Sequence, residues 1–161
     1  MGARLVLVGE APGQEEVEQG LPFVGQAGRF QEELWTSLGI RRADVRIENV
    51  VEVRPPENEL WRMDDSVLRK AQEGLHQRLA RLTGPIVIVP TGNFALNTLR
   101  RKPIRRRKRG GIPEFDWVDK IGNWRGSIAR YTMDHGRRVK MIPTVHRAGI
   151  LWRQGAVTKG V

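Results

Sequence analysis

Short apolar runs punctuate a chain that is otherwise strongly polar. The first, Leu5-Val6-Leu7-Val8, is continuous and rich in β-branched residues, the pattern of a strand buried on both faces of a parallel sheet. Residues 45–53 predict a second strand, stopped by the rigid Pro55-Pro56 pair, and 86–90 a third. Between the strands the apolar spacing becomes helical. Phe30, Leu34, Trp35 and Leu38 mark a helix over 26–38 with Gly39 as its stop. Asp64 or Asp65 caps a longer helix whose stripe is Val67, Leu68, Ala71, Leu75, Leu79 and Leu82. His76 falls off that stripe and is expected at the surface, as is His135 in a turn. Residues 93–99 predict a short helix, and 127–133 with 139–144 a hairpin closed by Asp134-His135-Gly136. Strands alternating with helices, then a late extended pair, imply an α/β fold. The expectation is a three-layer α/β/α sandwich around a small, mainly parallel four-stranded sheet, with 1–161 as one domain.

In such a fold the ligand site lies at the carboxyl ends of the strands. The loop leaving the first strand reads Gly9-Glu10-Ala11-Pro12-Gly13-Gln14-Glu15-Glu16 and continues through Gly20-Leu21-Pro22-Phe23-Val24-Gly25-Gln26-Ala27-Gly28. A carboxylate and an aromatic ring on one tight loop suggest a slot for a flat ring. Taken singly, each residue has a plainer reading. A Glu after a strand is commonly a solvated loop carboxylate, Phe23 between Pro22 and Val24 a core residue, Asn49 a turn former and His146 a structural histidine. What raises all four is their place on one rim of the sheet, where a single ligand meets them.

The pattern GEAPGxxE followed by GxPFVGxAG resembles the first motif of the uracil-DNA glycosylase superfamily, in particular its thermostable iron-sulphur branch, family 4. Further segments follow in the family's order: Glu48-Asn49-Val50-Val51-Glu52-Val53-Arg54-Pro55-Pro56, the strand and turn from Ile86 to Gly92 with Ala95, and Ile121-Gly122-Asn123-Trp124-Arg125-Gly126, which resembles a strand ending in Arg-Gly. The last is Pro143-Thr144-Val145-His146-Arg147-Ala148-Gly149-Ile150-Leu151. The resemblance implies a DNA glycosylase that removes uracil and leaves an abasic site. It casts Glu10 as the carboxylate that stabilises the oxocarbenium-like sugar and orients or deprotonates water, and His146 as the donor to the pyrimidine O2. Phe23 stacks on the extruded ring, Asn49 reads its pairing edge, and Ala11 and Gly13 complete the base pocket. Ile150 or Leu151 is the wedge that fills the vacated stack, and Arg147 stands where the family has proline, adding a phosphate contact. The basic insert with a histidine that lets one branch trap DNA covalently has no counterpart in 55–61. With no lysine in the matched motifs to form a Schiff base, a monofunctional enzyme is expected.

Charge extends this reading. Lys and Arg number 28 against 18 Asp and Glu, a net +10. The surplus concentrates in RRKPIRRRKR at 100–109, and Arg105, Arg106, Arg107, Lys108 and Arg109 are expected to hold DNA phosphates, or else to form a solvated loop. Gly110 to Pro113 is expected to be flexible or turning. DNA is the expected partner of a protein expected to be monomeric, soluble and cytoplasmic, with no bilayer span or signal peptide visible.

The chain contains no cysteine. Of the ligands the resemblance implies for an iron-sulphur cluster, Val53 occupies one position, the helix near Ala71 offers none, and no cysteine pair precedes the first strand. No cofactor and no metal site are expected. Gly13 lies near the place where the better-known uracil enzymes carry a tyrosine that rejects a C5 substituent. A C5-modified pyrimidine, removed in defence against phage, is therefore the alternative substrate. A DNA-binding module without catalysis is the second alternative. A nucleotide-binding enzyme is weaker, because neither GxGxxG nor GxxxxGK[ST] is present.

Overall fold

The computed structural model describes residues 5–21 and 24–145. In chain order the regular elements are β1 (Leu5–Gly9), α1 (Gln14–Gln19), α2 (Gln26–Ser37), β2 (Val45–Asn49), α3 (Asp65–Ala80), β3 (Val87–Pro90), α4 (Asn93–Leu99), β4 (Arg106–Arg109), β5 (Ile112–Phe115), α5 (Ile121–Trp124), β6 (Ala129–Thr132) and β7 (Arg138–Met141). Short 3-10 turns cover Pro56–Asn58 and Leu60–Arg62.

β1 is apolar throughout because it lies between two parallel neighbours, β2 and β3. Its alternate side chains then face two different layers. Val6 and Val8 point into the main core with Leu68, Leu75 and Leu79 of α3 and Phe94 and Leu96 of α4. Leu7 faces the other way, against Trp35 of α2 and Val45. Each fully buried aliphatic side chain contributes about 1.5–3 kcal/mol, so the two faces of this one strand clamp the helical layers together. The central sheet runs β2-β1-β3-β7-β6; β7 continues the parallel set and β6 turns back antiparallel. It has five strands rather than four, because both arms of the late hairpin join it.

Several local expectations change. The second strand ends at Asn49 instead of 53, although Val50 N and Val51 N still bond to Gly9 O and Glu10 O, each at 2.9 Å. On α2 only Trp35 of the expected stripe is deeply buried; Leu34 and Leu38 are exposed. The stripe of α3 is rotated: Val67 is exposed, and His76 is buried beside Tyr131, its Nδ1 2.7 Å from the hydroxyl. Residues 121–124 form a helical turn rather than a strand. The reason is capping from α4: Asn93 Oδ1 accepts from Ile121 N at 2.8 Å, and buried Asn97 bonds both Asp119 N and Asp119 O.

The basic block is neither disordered nor simply solvated. β4 and β5 pair as a hairpin whose two-residue loop, Gly110-Gly111, has φ of 56° and 80°. Two successive left-handed residues make the tight turn that matches strand twist, which glycine alone adopts without strain. Arg106 anchors the hairpin: it bonds Asp65 Oδ1 at 2.7 Å and the carbonyls of Trp61 and Met63 at 2.6 Å each, and lies over the Phe115 ring.

Candidate active site

Parallel pairing brings the tips of four strands to one edge. Gly9 sits in register with Asn49, so the residue after β1, Glu10, and the last residue of β2 are neighbours across the ladder. Thr91, just after β3, donates from N and Oγ1 to Val8 O, and Gly92 N bonds Thr144 O at 3.1 Å. Thr144 in turn bridges to Thr91 beyond the end of β7. Glu10, Asn49, Thr91-Gly92 and Thr144-Val145 thus share a rim. His146, Arg147, Ile150 and Leu151 lie outside the described residues, as does Phe23; the structure reaches Val145, the residue before His146.

Two side chains on this rim are electrostatically unusual. Among the described residues no cation offsets the burial of the Glu10 carboxyl, and desolvation raises its pKa above the ordinary 4.5. Asn49 Oδ1 is buried without a hydrogen-bond partner among the described residues. An orphaned acceptor of this kind costs about 1–3 kcal/mol and is rare in native folds. Both groups are therefore held in a condition that a suitable ligand relieves.

The segment between β1 and α2 is braced by Glu16, the closing residue of the GEAPGxxE pattern, and by Glu15 and Arg29, to which pattern reading assigns no role. Glu16 Oε1 accepts from Gly25 N at 3.2 Å, while Arg29 Nη1 bonds Val24 O at 2.9 Å and Glu15 Oε2 at 3.2 Å. Each clamp joins a carboxylate that precedes Phe23 in the chain to a residue that follows it. Gly13 has an extended backbone that any residue adopts, so its size matters more than its flexibility: a Cβ there would stand 2.8 Å from Glu16 Oε2. The space beside Gly13 is thus taken by the Glu16 carboxylate. Ala11 packs on the main core. An open cleft of about 460 Å³ lies beside Asn49, lined by Pro12, Glu16, Val17, Leu21, Glu48 and Glu52 among others.

The hairpin arginines are engaged with the protein. Arg105 pairs with Asp116, Arg107 with Glu114 and Asp116, and Arg109 with Glu114. Lys108 has no ion pair among the described residues. Exposed pairs such as these are weak, on the order of 0–1 kcal/mol, so these cations remain open to exchange for phosphate.

The positions implied for cluster ligands do not suit iron. Val53 is exposed and offers no donor, and Ala71 packs against the core. Among the described residues there is also no group of three or more His, Cys, Asp or Glu able to hold a metal ion. No described helix is long and apolar enough to cross a membrane.

Known proteins resemble this chain over most of its length. The model of the Uracil DNA glycosylase superfamily matches residues 1–159. A type-4 uracil-DNA glycosylase of Archaeoglobus fulgidus is 34% identical over 151 residues, covering 94% of this chain and 68% of that protein. One from Thermotoga maritima is 41% identical over 121 residues, covering 73% of the chain and 60% of its own length. Another from Saccharolobus solfataricus is 30% identical over 151 residues, 93% of the chain and 63% of that protein. The chain thus spans roughly three fifths to two thirds of these relatives.

Proposed function

The chain belongs to the uracil-DNA glycosylase superfamily, and we propose that it hydrolyses the N-glycosidic bond of a uracil extruded from DNA, leaving an abasic site. The observation that carries the reading is the buried Asn49 Oδ1 at the strand tips, which has no hydrogen-bond partner among the described residues. Uracil presents a ring N–H beside a carbonyl oxygen, and a side-chain amide meets that edge with one acceptor and one donor. The ring N–H satisfies the orphaned oxygen, and the amide NH₂ faces the adjacent carbonyl oxygen.

Glu10 acts on the sugar. As the bond from the anomeric carbon to the base nitrogen breaks, the electron pair leaves with the base and positive charge builds on the sugar. A carboxylate held in a poorly solvated pocket stabilises that charge more strongly than one in water. It also receives the proton of the attacking water, whose oxygen forms the new bond to the sugar. His146, two residues beyond Thr144, donates a hydrogen bond to the pyrimidine O2 as negative charge collects there. Phe23 stacks on the ring, Ala11 and Gly13 line the pocket, and Ile150 or Leu151 enters the vacated stack. Arg147 and the hairpin residues Arg105, Arg106, Arg107, Lys108 and Arg109 hold phosphates without reading sequence. Water is the nucleophile at the sugar, which makes the enzyme monofunctional.

The test is base release from oligonucleotides carrying a single uracil, 5-hydroxymethyluracil or a bulky C5-substituted cytosine. Release of uracil supports the reading. Release of only a C5-modified base moves the substrate and keeps the chemistry; no release from any of them, with DNA still bound, overturns the enzyme.

A further inference from the structure

Among the described residues the Asn49 side-chain oxygen has no partner, yet the Asn49 peptide is gripped from behind by one guanidinium. Arg78, near the carboxyl end of α3, donates Nη2 to Asn49 O at 2.6 Å and Nε to Glu48 Oε2 at 2.8 Å, and its Nη1 lies 3.1 Å from Glu52 Oε2. The contact is largely withdrawn from solvent: the Arg78 side chain is 19% exposed and that of Glu48 10%. Arg46 closes the other side of Glu48 at 2.8 Å. One planar group thereby ties a helix of the scaffold to the residue before Asn49, to Asn49 itself and to Glu52 beyond it. A lysine ammonium lacks the fork geometry needed to reach three acceptors together.

The same contacts settle an electrostatic problem. Glu16, Glu48 and Glu52 all line the cleft beside Asn49, a wall of carboxylates where a polyanion is to be received. Arg78 offsets two of them. Without it, Glu48 keeps among the described residues only the half-exposed Arg46, and a nearly buried carboxylate left short of charge compensation is a strong penalty.

We propose that Arg78 is a positioning residue for base recognition: it fixes the peptide from which the Asn49 amide projects and neutralises Glu48 and Glu52 at the mouth of the base cleft. The proposal rests on the glycosylase reading above. It differs from a purely structural role in one respect: the effect of Arg78 on base release runs through Asn49.

A double-mutant cycle tests this. Wild type, Arg78→Gln, Asn49→Ala and the double variant are compared in single-turnover release of uracil, with thermal melts of all four. Arg78→Gln is expected to slow release about tenfold in the wild-type background and less than about twofold where Asn49 is already alanine, since coupled residues are non-additive. The loss of melting temperature is expected to be similar in both backgrounds. Arg78→Lys falls between wild type and Arg78→Gln, and it carries the cycle if Arg78→Gln does not fold. Equal fold-losses in the two backgrounds overturn the proposal, as does undiminished release by Arg78→Gln. Wild-type protein that releases no base overturns the glycosylase reading instead; the cycle is then measured on affinity for a uracil-containing oligonucleotide, where additive losses still overturn the role of Arg78 and non-additive losses sustain it.

Discussion

Tyr131→Phe removes one oxygen from the core and leaves everything else in place. Tyr131 is 1% exposed and His76 7% exposed, and the hydroxyl lies 2.7 Å from His76 Nδ1. The rings stack at 5.7 Å with an interplanar angle of 13°. Burial pushes the Tyr131 hydroxyl up to about 12, so it stays protonated and serves as the donor. Phenylalanine preserves the stacking area and orphans Nδ1, a loss of about 1–3 kcal/mol for a buried group left unpaired. At about 2–4 °C per kcal/mol for a domain of this size, the melting temperature falls by roughly 2–12 °C. Thermal unfolding at pH 8, followed by calorimetry, is the assay. A shift below 1 °C refutes the reasoning, because it means that the hydroxyl has no partner to lose. The histidine adds a pH dependence. Burial, then the charge of Arg101, lowers the His76 pKa below the ordinary 6.5. The unfolded chain therefore takes up the proton first, so stability is full above pH 6.5 and declines as pH falls through that value, until the folded ring protonates as well.

Glu10 shows the opposite sign. Its raised pKa means that the charged carboxylate is disfavoured in the fold, a penalty absent at low pH and growing as pH rises above 4.5. Glu10→Gln is thus expected to melt higher than wild type at pH 8, and the acid limb of wild-type base release to have its midpoint above 4.5; an equal or lower melting temperature contradicts the first, and a midpoint at or below that value the second. Gly13→Ala places a Cβ 2.8 Å from Glu16 Oε2, so the carboxylate that holds Gly25 N must shift. The expected outcome is a rise in KM for oligonucleotide substrate with a melting temperature within about 2 °C of wild type, as for a surface loop; an unchanged KM counts against the loop. In the hairpin, Arg106→Ala loses bonds to Asp65, Trp61 and Met63 and lowers the melting temperature, whereas Lys108→Ala with Arg109→Ala spares stability and flattens the salt dependence of DNA binding by about one to two in log-log slope. Identical salt slopes show that the hairpin does not meet phosphate.

The strands and the site rim were legible in the sequence because burial on two faces leaves a continuous apolar run, as in Leu5-Val6-Leu7-Val8, and because parallel strands direct their following loops to one side. That logic alone places Glu10 beside Asn49. The helices α2, α3 and α4 were found, but α1 was read as loop, and the facing of α2 and α3 was not fixed by hydrophobicity. His76 lies one residue from Leu75 and four from Gln72, on the buried face, and escaped notice because its partner Tyr131 is 55 residues away. Exposed Val67 shows the same rotation from the other side. The basic hairpin was hidden for a different reason: a run of arginines resembles a solvated segment until Glu114, Asp116 and Asp65 are seen opposite it. Residues 121–124 turn helical because Asn93 reaches across to Ile121 N while Asn97 holds Asp119 just before them, long-range bonds with no local signature. Arg78 belongs to the same class: it supports the site through contacts at a distance in the chain, which spacing does not reveal.

The central claim is that the strand-tip rim carries out the chemistry, with Glu10 at the sugar and Asn49 at the base. The most direct measurement is single-turnover release of uracil from a single-uracil oligonucleotide by wild type, Glu10→Gln and Asn49→Ala, with folding of each checked by thermal melt. Loss of about 100-fold or more in both variants, as for removal of a catalytic acid–base group or a base-reading partner, is the predicted result. Release at the wild-type rate by either folded variant contradicts the account, because the chemistry must then lie elsewhere on the molecule.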